Sequence, residues 1–84
     1  MNLATFAASL PGHPDCRYMD GPLLHNDGSV LIEGAYLRVH WPDVLKSKGG
    51  LEVCLPGRDL DEEIAGFVRE AAKRACDDEG VTFP

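Results

Sequence analysis

Positive charge, paired cysteines and long apolar runs are all scarce in this chain of 84 residues, and each shortage removes a class of function. Eight Lys and Arg stand against fourteen Asp and Glu, for a formal charge of −6. A surface of that sign is a poor seat for nucleic-acid phosphates, which need a basic face. It suits solubility or a basic partner. Three cysteines, Cys16, Cys54 and Cys76, are too few and too widely spaced for a paired disulfide framework, so reduced thiols in a cytoplasmic compartment are expected. The N-terminus has no basic n-region, and no apolar run approaches the roughly 20 residues of a membrane helix; neither a signal peptide nor a membrane span is expected.

Catalytic motifs are missing too. His13, Asp15, Cys16 and His25 have ligand chemistry, but no C-x-x-C or H-x-x-x-H spacing occurs, so no metal site is expected. No cysteine stands in a nucleophile context with His25 or His40, and there is neither a phosphate loop nor a calcium loop. These absences predict a binder without a cofactor rather than an enzyme.

What the chain does contain is one domain's worth of apolar residues, 44% of the total. The strongest periodicity lies in Arg58–Gly80. Leu60, Ile64, Phe67, Val68, Ala71, Ala72, Ala75 and Cys76 follow a 3.6-residue period and predict an amphipathic helix of about 19 residues. Asp59 is the expected N-cap with Glu62 at N3, Glu70 is spaced to pair with Arg74, and Gly80 is the expected C-terminal stop. With this stripe inward, Phe67→Ala is expected to cost ~3–5 kcal/mol.

Upstream, Asn2–Leu10 reads as a short helix capped by Asn2, or as a short strand. Residues 11–22, with three prolines and two glycines, read as an irregular connection. Asn26-Asp27-Gly28 signals a hairpin between residues 22–25 and 29–32. Glu33-Gly34 is then either a second hairpin turn, the preferred reading, or a bulge in one long strand at Gly34. The hairpin reading places Val30, Ile32, Ala35, Leu37, Val39 and Trp41 on one apolar face. Leu51–Leu55 alternates as a further strand. The predicted fold is α+β: a small antiparallel sheet of three to four strands, one face covered by the C-terminal helix, with a short N-terminal helix as an option.

Two surfaces are candidate contact sites. One is acidic: Asp59, Asp61, Glu62 and Glu63 at the start of the helix, Glu70 in the middle, and Asp77, Asp78 and Glu79 at the end. Acids at a helix C-terminus oppose the dipole and exceed what capping requires. The other is the second sheet face, with Leu31, Tyr36, Arg38, His40, Glu52 and Cys54, where tyrosine and arginine are common interface anchors.

Two resemblances accompany these surfaces. The run VHWPDV, followed by PGRDLDEEIAGFVREAA, resembles antitoxins of the HicB type, in which a strand ending in aromatic-Pro-Asp precedes an acid-started helix. The intervening LKSKGGLEVCL departs from that family's short glycine-threonine segment, and a separate DNA-binding element is missing. In size, acidity and lack of a catalytic motif the chain is similar to the phage-encoded anti-CRISPR proteins. That likeness implies a basic protein or ribonucleoprotein partner, such as a CRISPR effector complex, whose nucleic-acid surface is occluded.

Overall fold

The computed structural model describes all 84 residues. The elements run α1 (Leu3–Ala8), β1 (Asp15–Met19), β2 (Leu23–Leu24), β3 (Val30–Ile32), β4 (Tyr36–Trp41), a 3-10 turn (Lys46–Lys48), β5 (Leu51–Pro56) and α2 (Glu62–Asp78). The fold is α+β, as the sequence predicts. A three-stranded antiparallel sheet in the order β1-β4-β5 carries the core on one face, and β2-β3 form a separate two-stranded ribbon.

Alternation in β4 and β5 sends Leu37, Val39, Trp41 and Leu51 inward. They meet Phe6 and Leu10 from the α1 region and Ala65, Val68, Ala72 and Cys76 from α2. The amide of Thr5 donates to Asn2 Oδ1 at 2.8 Å, so the expected Asn2 cap holds and the first segment is a helix. Trp41 is the hub. Its indole N–H donates to Pro11 O at 2.7 Å, and Phe83 meets the ring edge-on at 5.4 Å.

The segment expected to be irregular contains β1. Its Cys16 and Tyr18 lie on the inner face opposite Val39 and Leu37, while Asp15, Arg17 and Met19 lie opposite His40, Arg38 and Tyr36. Tyr18 donates its phenol to Arg58 O at 3.1 Å and carries the Arg58 guanidinium over its ring.

The preferred hairpin at Glu33-Gly34 does not form, because β4 already has β1 and β5 as neighbours. One long strand is the better description, but without the bulge expected at Gly34. Leu23 pairs with Ile32 four residues beyond the Met19–Tyr36 pair on each strand, so β1-β2 and β3-β4 share one register. In that register Gly21 lies opposite Gly34. Gly21 has φ +76°, and a Cβ there would collide with the Gly34 carbonyl. Close backbone contact thus bends the long hairpin out of the plane of the main sheet, and its tip leans over the second face, where His25 and Asn26 line a groove with Glu52 and Cys54. Val30, expected in the core, is 53% exposed as a result. The tip turn is the expected one: Gly28 has φ +88°, and Asp27 Oδ1 accepts from the Ser29 amide and hydroxyl.

The helix α2 departs from expectation at its start and in its rotation. Asp61, not Asp59, is the N-cap: its Oδ1 accepts from Ile64 N at 2.8 Å, and Glu62 is the first helical residue, so no capping box with Glu62 forms. The C-terminus closes as foreseen at Gly80 (φ +69°). Gly80 N–H bonds Asp77 O and Val81 N–H bonds Cys76 O, a Schellman motif. The buried positions are Ala65, Val68, Ala72 and Cys76, and Phe67 is 60% exposed. The apolar arc of α2 spans about half the helix, and the small-residue side of it faces the sheet. Alanines let the backbone lie close to the strands, where a phenylalanine would hold it away. The expectation of a large cost for Phe67→Ala is therefore overturned.

Candidate partner-binding surface

All eight acids singled out in and around α2 are exposed, but they are not equivalent. The Asp61 carboxylate caps the helix, and Glu79 forms an ion pair with Lys48 that ties the end of α2 to the 3-10 turn. Asp59 precedes the helix, while Glu62 and Asp78 sit at its ends, off the central line. Glu63, Glu70 and Asp77 recur every seven residues and form one row on the outer face, with steps of ~10 Å at 1.5 Å per residue. None of the three makes an ion pair; the expected Glu70–Arg74 bridge is not among the four that form.

Beside this row lies the side chain that sequence reasoning assigned to the core. Phe67 borders a shallow depression together with Glu63, Gly66, Glu70, Ala71 and Arg74. An exposed aromatic ring rimmed by charge is the usual composition of an interaction anchor. Its signal in the sequence was the width of the apolar arc, which exceeds what one sheet face can cover.

The second sheet face is more occupied than the sequence implied. Tyr36 is 6% exposed and therefore unavailable as an anchor. Arg38 Nε donates to Glu52 Oε2 at 2.9 Å, and His40 Nε2 lies 3.2 Å from Gly49 O, so both polar groups are engaged within the chain. The β2-β3 ribbon approaches this face, with Leu31 and Cys54 lining the grooves between ribbon and sheet. The chain thus covers part of this face itself.

The three thiols are held in their protonated form. Burial, then the Asp15 carboxylate, pushes Cys16 up to about 11. Burial, then the hydrogen bond to Glu52 and its charge, pushes Cys54 up to about 12, against a smaller pull from Arg38. Burial also raises Cys76, with Asp77 adding to it. A thiol raised in this way is a weak nucleophile at neutral pH. An unfolded thiol, at its ordinary value of 9.0, loses its proton before the folded one does. The stabilisation is complete below pH 9 and is lost as pH rises towards 11–12. The melting temperature under reducing conditions should accordingly fall across that interval, and a triple Cys→Ser variant should show a shallower fall. An equal fall in both would remove the thiols as the cause.

No three His, Cys, Asp or Glu side chains converge to hold a metal ion, and no helix is long and apolar enough to cross a membrane. The class this structure defines is a small α+β domain with two helices on one face of a three-stranded sheet and an acidic outer helix face. Compared with known protein families, characterised proteins and solved structures, the chain matches none of them.

Proposed function

We propose that this chain is a protein-binding domain that seats the outer face of α2 on a basic protein or ribonucleoprotein surface and keeps nucleic acid from it. One arrangement carries the reading: the unpaired carboxylates of Glu63, Glu70 and Asp77 in line beside the exposed ring of Phe67. Carboxylates steer the encounter with a basic groove, and the aromatic ring supplies the desolvated contact. A groove that ordinarily holds phosphates fits this chemistry. The CRISPR effector complexes blocked by anti-CRISPR proteins are the specific partner class we propose. Blocking needs occupancy alone, so this mode of action requires no catalytic group.

The test is a pull-down from lysate, followed by affinity measurement at two salt concentrations. The variant Glu63→Lys/Glu70→Lys/Asp77→Lys should reduce affinity by ~10-fold or more, with an unchanged far-UV CD spectrum, because all three side chains are solvent-exposed. Asp61 is left intact, since loss of its cap would cost ~0.5–2 kcal/mol and confuse folding with binding. Binding that survives the reversal would overturn the reading. Capture of one small ribonuclease would favour the antitoxin resemblance instead.

A further inference from the structure

We infer that the free edge of β5 pairs antiparallel with the same edge of a second copy of the chain, about a twofold axis at Val53. The hydrogen bond from Gly57 N to Ala35 O sets the phase of the β4-β5 ladder. In that phase Leu51, Val53 and Leu55 bond to β4, and the N–H and C=O of Glu52 and Cys54 point away from it. Neither residue's backbone appears in any of the turn, loop or cap hydrogen bonds of the chain. An exposed strand edge of this kind is a template for another strand.

The strand is self-complementary. Leu51-Glu52-Val53-Cys54-Leu55 carries its apolar residues symmetrically about Val53. With the axis there, Glu52 exchanges both backbone bonds with Cys54 of the second copy. On the inner face Leu51 meets Leu55 of the second copy, and the two Val53 side chains meet each other. Val53 and Leu55 are only half-buried in the single chain, so pairing removes further apolar surface from water. Charge favours the same register. Each Glu52, already held by Arg38, faces a thiol, whereas an axis at Glu52 would set two carboxylates against each other. No strand of the chain itself pairs with this edge, since β5 ends the order β1-β4-β5 and the β2-β3 ribbon is a separate sheet. The product is a six-stranded sheet with both α2 helices on one side, which leaves their outer faces free. This inference is independent of the partner reading above.

Sedimentation of the full chain under reducing conditions, from micromolar to millimolar concentration, tests it. The mass should rise from 9.1 kDa towards twice that value. Cys54→Pro removes an outward N–H without touching the β4 ladder, so it should remain folded by CD and stay monomeric. In the wild-type chain, amide exchange at Glu52 and Cys54 should slow as concentration rises. A monomer throughout the range would overturn the inference. So would a dimer that survives Cys54→Pro, or a dimer whose Glu52 and Cys54 amides exchange freely. If the proline variant misfolds, the amide measurement decides alone.

Discussion

Trp41→Ala should lower the unfolding free energy by ~3–5 kcal/mol, a large share of the roughly 4–13 kcal/mol that a domain of this size can hold. The indole is 1% exposed and joins segments remote in sequence. Pro11 after α1 accepts its N–H, β4 supplies its backbone, and Phe83 near the C-terminus meets its edge. Truncation opens a cavity, removes the aromatic pair and leaves the Pro11 carbonyl without its donor. Urea denaturation followed by far-UV CD measures the loss, since the variant has no tryptophan. Trp41→Phe separates the contributions. It keeps most of the ring volume but not the N–H, so it should cost less than the alanine change. A loss below ~1 kcal/mol for Trp41→Ala would mean that Pro11 and Phe83 are not seated on the ring.

The readable parts of the fold are those where one local rule acts without competition. The Asn2 cap, the Asn26-Asp27-Gly28 turn, the Gly80 stop and the alternation of Leu37, Val39 and Trp41 each follow from a residue and its immediate neighbours. β1 was hidden for a physical reason. Its inner face offers only Cys16 and Tyr18, and it is flanked by Pro14 and by Gly21-Pro22, so it forms because β4 has an edge to fill. The partner of β3 was equally out of reach, because a turn and a bulge at Gly34 place the same apolar residues in phase. Only the close approach of Gly21 and Gly34, thirteen residues apart, separates the two. At the candidate site the acids could be read from composition. Which of them cap, pair or stand free could not: Asp59 and Asp61 are both competent caps, and the choice depends on where the chain leaves β5.

Val68→Asp and Phe67→Asp, adjacent substitutions, should have opposite outcomes. Val68 is fully buried against the sheet, and no buried polar or charged residue is present to receive a carboxylate. The substitution forfeits ~1.5–3 kcal/mol of apolar burial. It also adds either an unpaired buried charge, worth ~3–5 kcal/mol, or the cost of protonating it. The sum is comparable with the whole stability of the domain, so Val68→Asp should be unfolded or nearly so at 25 °C by CD. Phe67, at 60% exposed, has no such constraint, and Phe67→Asp should change stability by ~0.5 kcal/mol or less. A helix rotated to put Phe67 inward, as the apolar stripe alone suggests, predicts the reverse ranking. The same variant also bears on function. A folded Phe67→Asp chain that no longer captures the partner assigns the ring to the contact. One that binds as before leaves only the carboxylate row, and the proposed anchor is lost.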